Sequence, residues 1–376
     1  MPLMFKRLYI DNYKCFVNFE LHLHEFTLLV GRNGAGKTAV LDVVYALRQL
    51  LEGTSRITDR DIFPPSSLTR WQKRPIQVVE ADLELDDIQF TYRLEVEHHR
   101  VERRARIKDE ALSGNGGPLF SFKSGDVRLY RDDHSEGPTF KSDWRESALA
   151  RVQPVKDNIH LTRFLDFMRS VLVCGLNPPT FATEAASEDQ ILARDGRNFV
   201  EWYRHFLQER QDLSLSYTQA MQDVLPGLRG FRLEKVGIDT RALVGVFGDE
   251  GEAYPYKFHE LSDGQRALAV LYALTHLTTD QRRAVLIDEP VNFVELSEIQ
   301  PWLVALTDAC GSTCGQALLS SHHPEVIDYL GADRGILLSR DGTGPTRAKV
   351  LAEGLNHLTE EGPLRLSQVM ARGWEL

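Results

Sequence analysis

At 376 residues the chain is long enough to bury a large core or to form two lobes. Its composition, 26% charged and 42% apolar, is that of a soluble globular protein, and no apolar run approaches the roughly 20 residues that span a bilayer. A formal net charge of −10 excludes a uniformly basic nucleic-acid binder but leaves room for a local basic patch.

Lys6–Ile10 and the alternating Asn18–His24 predict two strands, and the apolar Phe26–Val30 predicts a buried third. Behind it stands Gly31-Arg32-Asn33-Gly34-Ala35-Gly36-Lys37-Thr38, followed by a helical pattern from Val40 to Leu51. This is the Gly-x4-Gly-Lys-Thr pattern of a P-loop in the strand–turn–helix context it requires. Main-chain amides of such a turn cradle phosphates, and the helix N-terminus favours their negative charge. Asn33, Gly34, Ala35 and Gly36 are therefore candidate phosphate ligands. Lys37 is placed to reach the β and γ phosphates, and Thr38 to hold Mg²⁺ through its hydroxyl. Strand, spacing and helix together outweigh a chance lysine in a glycine-rich turn. The chain is expected to bind a nucleoside triphosphate.

Gly53 to Pro75 is polar and reads as a long loop. Three alternating segments follow, marked by Val79–Leu85, Phe90–Val96 and Val101–Ile107, with turns at Asp86-Asp87 and His98-His99. They predict an antiparallel meander, with short strands after Ser113–Gly117. From about 158 the apolar spacing becomes helical, through Leu161, Phe164, Leu165 and Met168 and again through Phe199, Trp202, Tyr203 and Phe206. The aromatic stripe reads as core. A strand-like stretch over Phe231–Phe247 closes this region. The expected organisation is an N-terminal ATPase lobe over 1–157, an inserted helical subdomain over 158–228 and a C-terminal ATPase lobe over 229–376. Cys15, Cys174, Cys310 and Cys314 form no CxxC pair, and the N-terminus lacks a signal-peptide core. A cytoplasmic protein with reduced thiols and no membrane contact is expected.

Leu261-Ser262-Asp263-Gly264-Gln265 precedes the helical run Arg266–Leu277. Taken alone, Ser262 is a helix N-cap. Residues 284–290, Ala-Val-Leu-Ile-Asp-Glu-Pro, read as a buried strand ending in the carboxylates Asp288 and Glu289. Asp288 suits Mg²⁺ and Glu289 suits the polarisation of an attacking water. Beyond another helix, Ala317–Ser321 delivers His322 and His323 at a strand end. With P-loop, Ser-x-Gly helix start, acidic strand end and histidine in this order, the chain resembles the RecF/SMC-like branch of ABC ATPases. Within that branch it is similar to stand-alone bacterial ATPases related to the OLD-family ATPase domain. Ile10-Asp11-Asn12-Tyr13-Lys14-Cys15-Phe16, Ser321-His322-His323-Pro324-Glu325 and the tail from Leu366-Ser367-Gln368 to Gly373-Trp374 carry the same likeness.

The resemblance implies an α/β fold of the ABC type of P-loop NTPase, its mixed sheet joined by an antiparallel β subdomain and an inserted helical subdomain. It implies an ATPase using ATP and Mg²⁺. Lys14 borders the nucleotide base, Ser262, Gly264 and Gln265 form the signature, and His322 meets the γ-phosphate. Catalysis is implied for Glu289, His322 and Lys37, and metal binding for Thr38 and Asp288. Two departures stand out. Val291–Leu296 replaces the usual acidic, glycine and His-Pro residues of the D-loop, and no Q-loop glutamine is evident, Gln153 being a weak candidate. The resemblance further implies a head-to-tail homodimer or higher homo-oligomer closed by ATP.

Two roles are expected for such a switch. One is control of a separately encoded effector, a nuclease or toxin, in anti-phage defence, because no nuclease cluster follows His322. The other is a RecF-like clamp on duplex DNA in repair, supported by Arg100, Arg103, Arg104, Arg106 and Lys108 beside Arg70, Lys73 and Arg74. The plainer reading of those cations is a charged, solvated strand edge. A transporter nucleotide-binding subunit fits poorly, because Lys37 and Ser262 lie too far apart.

Overall fold

The computed structural model describes residues 3–99, 102, 104–249, 251–278, 283–311, 314–351 and 365–371. From the N-terminus run β1 (Leu3–Asp11), β2 (Phe19–His22), β3 (Phe26–Val30), α1 (Lys37–Glu52), β4 (Ile76–Leu85), β5 (Ile88–His99), β6 (Arg104–Gly114), β7 (Gly117–Lys123), β8 (Asp126–Tyr130), β9 (Glu136–Lys141) and α2 (Ile159–Ser170). Then come β10 (Leu172–Cys174), β11 (Glu184–Ala185), α3 (Phe199–Glu209), α4 (Gln211–Val224), β12 (Leu228–Lys235), β13 (Arg241–Phe247), β14 (Tyr254–Lys257), α5 (Asp263–His276), β15 (Ala284–Asp288), α6 (Leu296–Ala309) and β16 (Gln316–Ser320). The chain finishes with α7 (Pro324–Arg334), β17 (Gly335–Arg340), β18 (Thr346–Val350) and α8 (Leu366–Ala371). Two compact units result, Met1–Val171 with Pro324–Leu376, and Leu172–His323.

In the first unit an antiparallel sheet has the order β2-β1-β4-β5-β6-β7-β8-β9. Strict alternation in β4 and β5 buries Val79, Ala81, Leu83, Phe90, Tyr92 and Leu94. On the other face Arg7 bonds to Asp82 at 2.6 Å and Glu80 at 2.9 Å, a cross-strand charge ladder. The buried face packs on α2, whose Phe164 lies 5.5 Å from the Tyr92 ring. Beside α2, Arg169 Nε donates to Leu51 O of α1 at 3.2 Å. These contacts place α2 in the first unit, so the 158–228 stretch is divided after Val171 and does not form one compact body. Elsewhere in this unit β17 pairs parallel to β3 and antiparallel to β18.

In the second unit β15 pairs parallel with β10 on one side and β16 on the other. Between Gln316 at the start of β16 and the polar C-terminal ends, β15 and β16 are apolar and buried, as a doubly covered parallel sheet requires. The aromatic stripe of α3 is core: Phe199, Trp202, Tyr203 and Phe206 are all buried. Tyr203 packs 5.7 Å from Tyr217 of α4, whose hydroxyl donates to Ala269 O of α5 at 3.1 Å. From α6, Trp302 Nε1 donates to Leu271 O of α5 at 2.9 Å.

Glu110 is fully buried in the first unit, accepting from Tyr92 Oη at 2.9 Å and Ser147 Oγ at 2.6 Å. Burial raises its carboxyl above the ordinary value of 4.5 despite these donors. An acid with a raised folded pKa contributes stability that is complete below 4.5 and lost as pH rises through the raised value. Wild-type melting temperature should therefore fall, relative to Glu110→Gln, as pH is increased above 4.5. Parallel curves for the two proteins would contradict this.

Candidate active site

The first unit carries the glycine-rich turn between β3 and α1. Gly31, Gly34 and Gly36 have φ of 149°, 81° and 108°. At two of them side chains are also excluded by contact. A Cβ on Gly31 would stand 2.3 Å from Leu338 O, and one on Gly36 would stand 2.8 Å from both Cys15 Sγ and Phe16 Cζ. The turn is closed from behind by Thr346, whose Oγ1 donates to Ala35 O at 2.8 Å and whose amide donates to Cys15 O at 3.0 Å. Asn33, Gly34 and Thr38 lie exposed on its outer side. Lys37 is buried, and its Nζ donates to Gly31 O at 2.8 Å, keeping the ammonium inside the loop. Glycine backbone, ammonium and exposed hydroxyl at a helix start are a donor set suited to a magnesium triphosphate.

Lys14 has φ of 50°, and its ammonium pairs with Asp42 on α1 while lying 5.4 Å from the Tyr13 ring centre. The turn of Tyr13 to Phe16 thus packs against the P-loop and is fixed by Lys14 to the helix behind it.

The second unit carries the acidic strand end. Ser320 Oγ of β16 donates to Asp288 of β15, and the Glu289 amide donates to Ser320 O at 3.1 Å. Glu289 has φ of 49°, an unusual backbone for a non-glycine residue. Its carboxylate accepts from the His322 amide at 3.2 Å and lies 2.9 Å from His322 Nδ1. The candidate metal ligand Asp288 and the candidate catalytic pair Glu289 and His322 thereby lie together at adjacent strand ends. His323 is separate, its amide donating to Ser321 Oγ at 3.1 Å.

Ser262 caps α5 as the sequence predicts: its Oγ accepts from the Gln265 amide at 3.2 Å, and its amide donates to Gln265 Oε1 at 3.0 Å. Gly264 presses on the D-loop, since a Cβ there would meet Phe293 O at 2.7 Å. That contact was missed by sequence reasoning, and nothing local signals it. Gly175 after β10 is another missed neighbour, where a Cβ would lie 3.7 Å from Asp288 Cβ. Gln153 lies in an exposed loop of the first unit.

The basic cluster is largely paired. Arg104 faces Glu102 at 3.8 Å, Arg106 bonds to Glu97 at 2.6 Å, Lys108 faces Glu95 at 3.6 Å and Arg74 holds Asp11 at 3.0 Å. Arg70 and Lys73 are exposed. Arg100, Arg103, Gly373 and Trp374 lie outside the described residues. Among the described residues no disulfide joins the four cysteines, and no helix is long and apolar enough to cross a membrane.

The profile of a family described as AAA domain, putative AbiEii toxin, Type IV TA system, matches residues 26–328. Among solved structures, the chain is similar to an SMC head bound to the C-terminal winged-helix domain of ScpA, at 13% identity and TM-score 0.58, covering 94% of this chain and 99% of that one. It is equally similar to an SMC head with an extended coiled coil bound to the C-terminal domain of ScpA, from Pyrococcus furiosus, at 13% identity and TM-score 0.58, covering 96% and 99%. No curated protein matches the chain. The fold is thus the SMC-head form of the ABC-type P-loop ATPase, as the order of motifs implies.

Gly36→Ala should abolish nucleotide binding, because it sets a strained φ costing on the order of 1–3 kcal/mol against an immediate clash. Equilibrium binding of fluorescent ATP checks this, and wild-type affinity in the variant would contradict it.

Proposed function

The chain belongs to the AAA-domain family described as putative AbiEii toxin, Type IV TA system, and on that premise we propose that it is an ATP-hydrolysing switch controlling a separately encoded effector. The carrying observation is the Glu289–His322 pair at 2.9 Å beside Asp288, at the ends of adjacent strands. A carboxylate held by a neighbouring imidazole and a backbone amide is suited to polarising water for attack on a phosphate.

In this reading the first unit binds the triphosphate, with Lys37 and the amides around Gly34 and Gly36 as its cradle. Thr38 offers a hydroxyl to Mg²⁺, and Asp288 on the second unit offers a carboxylate to an ion of the same kind. Bound Mg²⁺ would supply charge neutralisation at the phosphates. Ser262 and Gly264, at the positive end of α5, suit the γ-phosphate of ATP held by a second copy of the chain. ATP then joins two copies head-to-tail, and hydrolysis releases them. Binding favours the joined state only by the γ-phosphate contacts, so ADP should not sustain it.

The family's description as a putative toxin of a Type IV TA system supports a second, separately encoded protein as partner. The SMC heads above, each bound to ScpA, show this fold receiving another protein. The RecF-like reading has less support, because Arg106 and Lys108 of β6 already face carboxylates of β5, and Arg104 faces Glu102 in the turn before it. Such exposed pairs are weak individually, yet they leave little net positive field to attract a duplex.

Glu289→Gln should bind ATP and accumulate as a dimer, seen by light scattering, while ADP leaves it monomeric. A variant that stays monomeric at saturating ATP would overturn the head-to-tail switch. Charge reversal of Arg104 and Arg106 should leave the mobility of duplex DNA in a shift assay unchanged; a large loss of binding would restore the DNA clamp.

A further inference from the structure

We propose that Trp71, held beneath the Arg340 guanidinium, is the stacking platform for the nucleotide base. The inference rests on the reading of residues 31–38 as an ATP cradle and adds to it a base subsite.

Two paths of contacts connect Trp71 to the cradle, both within the first unit. One begins at Ala35, whose carbonyl accepts from Thr346 Oγ1 at 2.8 Å. Thr346 pairs with Arg340 across the β17–β18 ladder, and the Arg340 guanidinium carbon lies 5.1 Å from the centre of the Trp71 ring. The other begins at Gly36, against which the Phe16 ring packs. Phe16 O accepts from Thr69 Oγ1 at 3.2 Å, and Thr69 O accepts from the Gln72 amide at 3.1 Å, closing the turn that presents Trp71. The indole is thus linked to the glycine-rich loop through residues from both ends of the chain.

Its surroundings suit a flat, electron-rich ligand joined to phosphate. Trp71 is 42% exposed, so much of the indole is open to solvent although Arg340 lies over it. Arg340 is itself fixed, donating from Nε to Gly344 O at 2.7 Å and from a terminal nitrogen to Thr343 O at 3.1 Å. Aromatic rings and guanidinium planes both stack on purines. Close to Trp71 in sequence, Arg70 and Lys73 are exposed and without an ion pair among the described residues, whereas Arg74 is held by Asp11. Cations close in sequence to an open aromatic face match a nucleotide better than they match a neutral apolar ligand. A purely structural tryptophan, buttressing Arg340, would affect stability without making affinity depend on the base.

The test compares Mg²⁺-ADP with Mg²⁺-pyrophosphate, which lacks the base and sugar, by calorimetric titration of wild type, Trp71→Ala and Trp71→Phe. ADP avoids any coupling of binding to dimerisation. Trp71→Ala should weaken ADP about tenfold, equivalent to about 1.4 kcal/mol, and leave pyrophosphate unchanged. Trp71→Phe should recover most of the loss. Unchanged ADP affinity in Trp71→Ala, or an equal loss for pyrophosphate, overturns the base subsite. If wild type binds pyrophosphate and ADP equally well, the subsite fails while the phosphate cradle stands. If wild type binds neither ligand, the cradle reading fails and the subsite with it.

Discussion

Recognition of phosphate by main-chain amides demands a turn that visits conformations closed to residues with a Cβ, and that demand organises the first unit. Gly31 and Gly36 are pressed so closely by Leu338 O and by Cys15 and Phe16 that even an alanine would displace neighbouring atoms. The elements doing the pressing come from opposite ends of the chain: the turn after β1 and the β17–β18 hairpin. Thr346 of the hairpin ties the loop and the turn together, donating to Ala35 O and Cys15 O. A loop fixed in this way is preorganised, so little conformational entropy remains to be lost when an anion arrives.

The second unit solves a different problem, holding acids and an imidazole at strand ends without burying an unpaired charge. Ser320 contributes twice, its hydroxyl to Asp288 and its carbonyl to the Glu289 amide. His322 partners the Glu289 carboxylate through ring and backbone. The signature helix is gripped along its length by Tyr217 and Trp302, and at its start Gly264 leans on Phe293 O. That last contact brings the start of the helix and the Val291–Leu296 loop against one another.

What was legible in the sequence was local. The P-loop, the Ser262 cap and the apolar strand ending in Asp288 each depend on neighbours within a few residues, and each forms where spacing placed it. The meander was equally readable, because alternation records one buried face. Long-range contacts were not readable: Thr346 against Ala35, Gly175 beside Asp288, or Gly264 against Phe293 depend on how elements pack. The basic cluster is instructive. Arg104, Arg106 and Lys108 look like a binding patch in one dimension, but the neighbouring strand brings Glu97 to Arg106 and Glu95 to Lys108, and Arg104 faces Glu102 close by in sequence. The 158–228 stretch shows the same limit, since a common helical period does not reveal that α2 packs on α1 while α3 packs on α4 and α4 on α5.

The central claim is that an active site is completed by two chains. Mixing Lys37→Ala with Ser262→Arg tests it most directly, because each variant alone lacks one component of every site. A mixed head-to-tail pair regains one site with an intact P-loop and an intact signature. ATP hydrolysis should be absent from either variant alone and appear on mixing. A mixture as inactive as its parts, under conditions where wild type hydrolyses ATP, would contradict the account.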